Sequence, residues 1–511
     1  MGFHRVLIAN RGEIALRILR TLRTRGNEVC IVHTAEDRLS RAVHLSDRAV
    51  EIQGPTAIAA YLDIDQIVQA AVDLGVDAVH PGYGFLAENP TFAERLNGEG
   101  IQFIGPSPDV LRILGDKIEA RRLMGEAGLP TALGSSEPID DEDEAFELAT
   151  SIGFPVIVKA AAGGGGIGMQ VVHDPGEFKD AVRSCTSRAA SAFGDGRVFV
   201  EKFIQRGQHI EFQVLCDGNT AIHFGERFCS IQRRHQKILE EGPWLDEEER
   251  FRIGESVCRG AESVGYSGLA TFEFLRGADG SFAFLEVNPR VQVEHTVTEM
   301  ITGVDLVELG IQVAEGSPLP MSQDDVEIKG HAIQLRINAE DPSSFHPSPG
   351  MVWDWTMPGG LGVRVDSHAH PGYEMPEAFD SLLGKLIVHG SNREHAIRRI
   401  VSALDEIEVS GVQTLLPLHR KILCEPDFVA GDVTIHYLEE HPDLLRIYPI
   451  CRNPRTPFFA STLAGSSPNV RSPLLRTRDV FSRARVCSLG EDSLTLDTRR
   501  SNDPPSDSAA S

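Results

Sequence analysis

The chain contains no Cys-x-x-Cys pair, and its eight cysteines are scattered. That spacing argues for free thiols in a reduced, cytosolic compartment, or an organelle matrix once a transit peptide has gone. No apolar run reaches the ~18 residues needed to cross a bilayer, so no membrane association is expected. The start "MGFHRVLIAN" lacks an apolar h-region and a cleavage site, so no secretory signal is expected. Val6 stands where a myristoylation signal needs Ser or Thr. Basic charge is also scarce: 49 Lys and Arg oppose 74 Asp and Glu, a formal net charge of −25. Such a balance excludes a general nucleic-acid binder and leaves only local phosphate sites. The last stretch, from about Asp443, has no lysine, is rich in Ser, Pro and Arg, and reads as mostly disordered.

At roughly 150 residues per domain, the 511 residues suggest about three domains. The first segment alternates buried strands ("RVLIAN", "EVCIVHT", "DAVHPG") with amphipathic helices. Ile14, Ile18, Leu19 and Leu22 share a helical face, and Gly26 is a natural stop. Repeated β-α-β units predict a parallel, Rossmann-like sheet. Its first turn reads "ANRGEIA", so the dinucleotide fingerprint is absent there. A second segment, from about Asp116 to Pro320, reads mainly as strands. A third, from about Lys329 to His441, includes the helix "REHAIRRIVSALDEI", with Ile397, Ile400, Val401, Leu404 and Ile407 on one face.

The stretch "VIVKAAAGGGGIGMQVV" (156–172) is not a Walker A loop, because Met169 and Gln170 follow Gly168. Gly163, Gly165 and Gly168 supply the letters of a dinucleotide loop, but the next residues read as a strand rather than a helix. The remaining template is a hairpin with a glycine tip, whose bare N–H groups can close over a polyphosphate, with Lys159 beside it. Taken alone, the loop is equally compatible with a flexible surface hairpin.

A second cluster is more specific. In "TFEFL", Glu273 lies on the strand face opposite Phe272 and Phe274. In "FLEVNPRVQVEH", Glu286, Asn288, Arg290, Gln292 and Glu294 occupy every second position and share one face if the backbone stays extended. Carboxylates and a carboxamide are hard ligands for Mg²⁺, and Arg290 suits a small oxyanion.

With "IANRGEIALRILR", "HPGYGFLAEN", "CSIQRRHQK", "EVNPRVQVEHTVTEMITGVDLV", "LRINAEDP" and "FDSLLGKLIVHG" in order from Val6 to about His441, the chain closely resembles biotin carboxylase, the ATP-grasp component of biotin-dependent carboxylases. The resemblance implies a mixed α/β fold. It has a Rossmann-like N-terminal domain (1–115), an ATP-grasp domain (116–328) with a mobile lid at about 131–203, and a C-terminal biotin carboxylase domain (329–442), before the tail (443–511). It implies that ATP activates bicarbonate as carboxyphosphate, which carboxylates biotin on a carrier protein. Lys117 and Lys159 would contact the phosphates, under Gly164, Gly165 and Gly166. Met169, Glu201, Lys202 and Ile204 would surround the adenine, and His209, Gln232, His235 and Lys237 would line the ribose and phosphates. Glu273, Glu286 and Asn288 would hold Mg²⁺ or Mn²⁺, as two ions. Arg290, Gln292 and the Val293 backbone would hold bicarbonate, Glu294 would be the base, and Arg336 would stabilise the biotin enolate.

Three places depart from the family pattern. Ala161 and Ala162 replace a Ser and a Gly of the loop, Ile167 replaces its Arg, and Phe228 stands for the acid of "RDCS". Cys229 reads as a packed thiol. The chain lacks Met-Lys-Met, so the biotinyl lysine is expected on a separate biotin carboxyl carrier protein, which would work with a carboxyltransferase. The expected assembly is a homodimer of acetyl-CoA carboxylase type. The alternatives are the corresponding component of a propionyl-CoA, methylcrotonyl-CoA or pyruvate carboxylase, a ligase with a different acceptor, and a non-catalytic ATP-binding regulatory protein.

Overall fold

The computed structural model describes residues 2–135, 137–160, 169–193, 196–233 and 236–447. Gly164, Gly165, Gly166, Ala161, Ala162, Ile167 and His235 lie outside the described residues, as does nearly all of the expected tail. Among the described residues no helix is long and apolar enough to cross a membrane.

The predicted parallel sheet is present. Strands Arg48–Glu51, Glu28–His33, Arg5–Ile8, Ala78–His80 and Gln102–Phe103 lie in that spatial order, and every pair is parallel. The helix Gly12–Arg25 buries Ile14, Ile18, Leu19 and Leu22 against Val6 and Ile8. It ends at Gly26, whose φ of 84° is the left-handed cap that glycine adopts without strain.

An antiparallel sheet of eight strands carries the rest of the framework. Its order is Phe282–Asn288, Ser267–Arg276, Gln208–Asp217, Ala221–Arg233, Gln236–Gly242, His331–Asn338, Leu382–Gly390, Val363–Ser367. The sheet therefore runs without a break from the middle segment into the third. One face is a core containing Phe212, Phe272 and Phe274. Strand alternation sends the polar residues of the same strands to the opposite face.

A smaller antiparallel sheet joins Met169–Val172, Val156–Ala160 and Val198–Lys202. With helices Glu142–Ile152 and Phe178–Phe193 it has its own hydrophobic core, around Val156, Val158, Val172, Phe178 and Val200. The strands flanking the glycine run thus pair as a hairpin, and the run itself lies outside the described residues. In the third segment, helix Arg393–Glu406 buries Ile397, Ile400 and Leu404, while Ile407 is its C-cap rather than part of its face.

Phe228 is accounted for by packing. It is fully buried, and its ring stacks on Trp244 with centroids 4.0 Å apart and planes 15° apart.

Candidate active site

Register brings the acids together. Across adjacent strands Glu286 pairs with Glu273, Glu273 with Glu211, and Glu211 with Arg227, so four side chains form one row. Of these, Glu211 and Arg227 escaped the sequence reading. The signal for Glu211 was the alternation of His209, Glu211 and Gln213 in "HIEFQV", which matches that of Glu273 in "TFEFL".

The expected extended run from Glu286 to Glu294 needs correction, since the strand stops at Asn288. Pro289 has no N–H for a ladder bond. The chain then turns, with the Arg290 N–H donating to the Asn288 carbonyl at 2.9 Å, and helix His295–Thr302 begins directly after Glu294. The five side chains do not share a strand face, although the turn still delivers Gln292 and Glu294 to the row. The Gln292 amide donates to Glu273 Oε1 at 2.7 Å, as does the Asn288 amide at 3.0 Å. Arg290 instead folds outward, donating to Glu88 Oε1 at 2.5 Å and to Asn288 Oδ1 at 2.9 Å.

Lys237 is the hub. Its Nζ lies 3.0 Å from Glu273, 2.7 Å from Glu294 and in contact with Glu211. Burial opposes the charge on Lys237, but the three carboxylates outweigh it and hold the ammonium protonated. Burial likewise opposes ionisation of Glu273, yet Lys237 and His209 hold its carboxyl well below the usual carboxylate range. The other oxygen of Glu294 accepts from Arg336 at 3.1 Å, and Arg336 also pairs with Glu240 at 2.6 Å. Glu294 is depressed too, as Lys237, Arg336 and Arg227 outweigh its burial. Burial pushes Glu240 up against the pull of Arg336, with the Glu294 charge adding to the rise.

Arg227 has no exposed surface, and its donors are taken up by Glu211, Gln213, Thr298, Thr271 and Gln292. It is a fixed cation at the end of the row. Cys229 is buried, and burial together with the Glu211 charge pushes its thiol well above its ordinary pKa, so it is a packed thiol here.

The remaining predicted residues divide into groups. Lys117 Nζ donates to Glu286 at 3.2 Å. Lys159 Nζ donates to Glu201 Oε2 at 2.6 Å, and Arg121 takes the other oxygen of Glu201. Lys202, next along the strand, faces away from that pair and donates to the Gly153 and Phe154 carbonyls. Met169 is the cross-strand partner of Lys159, and Gln232 that of Lys237. His209 Nε2 sits 2.8 Å from Glu273, on the acid row. Ile204 packs beside Gly277.

The donor chemistry suits a hard divalent cation. Glu273 and Glu286 face each other across paired strands, Asn288 follows on the same strand as Glu286, and all three carry oxygen donors. Here their oxygens are engaged by Lys237, Lys117 and Arg290.

A carboxylate held between two cations (Lys237 and Arg336), beside a row of hard acids and in a chain that also has a smaller sheet with its own core, fits the ATP-grasp class of enzymes. Comparison with known proteins fixes the branch. Family models match residues 2–111 (biotin carboxylase, N-terminal domain), 116–322 (carbamoyl-phosphate synthase L chain, ATP binding domain) and 334–440 (biotin carboxylase C-terminal domain). A biotin carboxylase from Nostoc sp. is 47% identical over 444 residues, covering 86% of this chain and 99% of that protein. One of the pyruvate carboxylase subunits of Methanothermobacter thermautotrophicus is 46% identical over 443 residues, covering 86% of this chain and 90% of that one. The biotin carboxylase domain dimer of Hydrogenobacter thermophilus 2-oxoglutarate carboxylase was solved with MgADP, ADP and bicarbonate. It aligns with a TM-score of 0.81 at 43% identity, over 88% of this chain and 100% of that one. The chain belongs to the biotin carboxylase family.

Proposed function

We propose that the chain catalyses ATP-dependent carboxylation of biotin on a separate carrier protein, using bicarbonate by way of carboxyphosphate. The observation that carries this is the shared carboxylate of Glu294, held on one side by Lys237, which also binds Glu273, and on the other by Arg336. It puts a carboxylate base between a cation facing the metal and phosphate side and a cation that can meet a second substrate.

The roles are those the family resemblance implies. Glu273, Glu286 and Asn288 hold Mg²⁺ or Mn²⁺, as two ions, which when bound neutralise phosphate charge. Lys117 and Lys159 leave Glu286 and Glu201 for ATP phosphates, covered by Gly164, Gly165 and Gly166. Met169, Glu201, Lys202 and Ile204 line the adenine, and His209, Gln232 and His235 the ribose and phosphates. Arg290, with Gln292 and the Val293 backbone, receives bicarbonate once its guanidinium turns from Glu88.

Glu294 then takes the bicarbonate proton. With Lys237 and Arg336 both on its carboxylate, it is a weak base. Phosphate and bicarbonate that engage Lys237 and Arg336 withdraw those partners, and the proton affinity of Glu294 rises accordingly. Arg336 stabilises the negative ureido oxygen of deprotonated biotin, as an oxyanion hole does. The segment about 131–203, with its separate core, is the lid of an ATP-grasp domain spanning 116–328, between an N-terminal domain (1–115) and a C-terminal domain (329–442). Two copies form the dimer. The carrier and a carboxyltransferase complete a cytoplasmic complex, of acetyl-CoA carboxylase type in this reading. A pyruvate carboxylase is the alternative, which one relative's name supports.

Phosphate release and carboxybiotin formation, measured side by side, test the assignment. Glu294→Gln should lower both by about 10²-fold or more. Arg336→Met should keep most bicarbonate-dependent phosphate release while losing carboxybiotin, an effect of roughly 3 kcal/mol on that step. Equal loss of both products in Arg336→Met would move the arginine to ATP or bicarbonate binding. Absence of bicarbonate-dependent release in the unaltered chain would remove the reading.

A further inference from the structure

Behind the Glu294 carboxylate lies a charged pair outside the roles given above. Lys385 is fully buried and is the cross-strand neighbour of Arg336 on one side and of Asp366 on the other. Its Nζ donates to the Val293 carbonyl at 2.9 Å and lies 3.1 Å from Glu13 Oε2. Glu13, 3% exposed, stands in the first turn of helix Gly12–Arg25, at the end of the N-terminal parallel sheet. Its other oxygen accepts the Tyr83 hydroxyl at 2.5 Å. Tyr83 lines a cavity of about 240 Å³ together with Asn10, Arg11, Phe379 and Asp380. A continuous chain of contacts thus leads from that cavity through Tyr83, Glu13 and Lys385 to the peptide joining Val293 and Glu294.

A buried ion pair is weak support for stability, because desolvation consumes most of its attraction, and an apolar pair of like volume serves as well. What an ion pair supplies is direction. Lys385 fixes the carbonyl of the 293–294 peptide, and the nitrogen of that peptide belongs to Glu294. Its orientation therefore sets where the Glu294 carboxylate begins and how the adjoining Val293 amide is presented. A shift of about 1 Å at such a point can cost about 10²-fold in rate.

We infer that Lys385 and Glu13 are positioning residues for bicarbonate, holding the Val293–Glu294 peptide in place, and that Tyr83 anchors Glu13 from the cavity side. The inference rests on the proposed bicarbonate chemistry and extends it to residues of the first and third segments. The contacts of Lys159, Glu201 and Lys117, on the adenine and phosphate side, are made with other residues.

The test uses the full chain with ATP, Mg²⁺ and bicarbonate, following phosphate release. The double variant Glu13→Gln/Lys385→Met removes both charges at near-constant volume. Its bicarbonate KM should rise at least about tenfold while its ATP KM stays within about twofold, since only the bicarbonate peptide is released. Glu13→Gln alone, a change of one atom, should show the same split in weaker form, and it decides the matter if the double variant does not fold. A bicarbonate KM within about twofold of the unaltered chain, or parallel rises in both KM values, would overturn the inference and leave the pair a structural strut. Loss of bicarbonate dependence in the unaltered chain would refute the catalytic reading instead, so the two failures are distinguishable.

Discussion

Lys237→Met isolates the hub. At about 3 Å and an effective dielectric of ~20, each of its carboxylate contacts is worth about 5 kcal/mol before desolvation. Most of that is not lost, because each acid keeps another partner. Glu211 retains Arg227 at 2.6 Å and Glu294 retains Arg336 at 3.1 Å, whereas Glu273 keeps His209 at 2.8 Å and the neutral amides of Asn288 and Gln292. The net destabilisation should fall near the lower end of the range for a broken buried pair, about 3 kcal/mol. The more specific signature is a proton. Glu273 loses Lys237, the larger of the two partners that hold its carboxyl down, while His209 stays 2.8 Å away, so its folded pKa should rise from that depressed position. A carboxyl depressed on folding contributes stability above its unfolded pKa that is lost as pH falls through the folded pKa. The stability gap between the unaltered chain and the variant should therefore be widest near pH 7 and narrow by about 1 kcal/mol or more towards about pH 3.5. Urea unfolding at the two pH values measures this, and phosphate release should fall by about 10²-fold or more. Parallel pH profiles for the two chains would refute the view that Lys237 keeps Glu273 ionised.

Two further outcomes are expected. Burial pushes His223 and His419 down to about 4 and His80 and His368 down to about 3, so these rings are neutral in the fold. A histidine depressed on folding contributes stability above its unfolded pKa that is lost as pH falls, so urea midpoints should drop from about pH 6.5 towards 4, at up to about 1.4 kcal/mol per unit per histidine; a flat profile there would show that these rings are accessible to protons. Phe228→Asp should cost about 3 kcal/mol or more through lost packing and a buried carboxylate. In a double-mutant cycle with Trp244→Ala the two changes should couple by about 1 kcal/mol, and strict additivity in chemical denaturation would show that the stack is incidental.

The parallel sheet was legible because hydrophobic runs and glycine stops are local signals. Ile14, Ile18, Leu19 and Leu22 needed only their spacing, and Gly26 only its freedom of φ. Glu273 was legible by alternation. The course of Glu286 to Glu294 was misread beyond Asn288 because alternation was extended through Pro289, which cannot continue a ladder. Glu211 and Arg227 were missed for a different reason. Nothing in "HIEFQV" or "GERFC" alone says that these strands lie side by side, and only the pairing of Glu273 with Glu211 and of Glu211 with Arg227 turns scattered charges into a row. Lys385 was invisible in the same way: its partners Glu13 and Val293 are distant in sequence. The stack of Phe228 on Trp244 shows why the departure at that position is tolerated, since a neighbouring aromatic takes up the changed side chain.

Strand His331–Asn338 is bonded on one edge to Gln236–Gly242 and on the other to Leu382–Gly390. Severing the polypeptide between residues 288 and 331 would divide this sheet between its fifth and sixth strands, and each fragment would carry a raw edge of unpaired N–H and C=O groups over a cut core. Such fragments would find each other, or aggregate, before either adopted its shape alone. The gene therefore offers no clean splice point between its middle and third segments, and a shuffled chimera joined there would have to bring both parts of the sheet from the same parent.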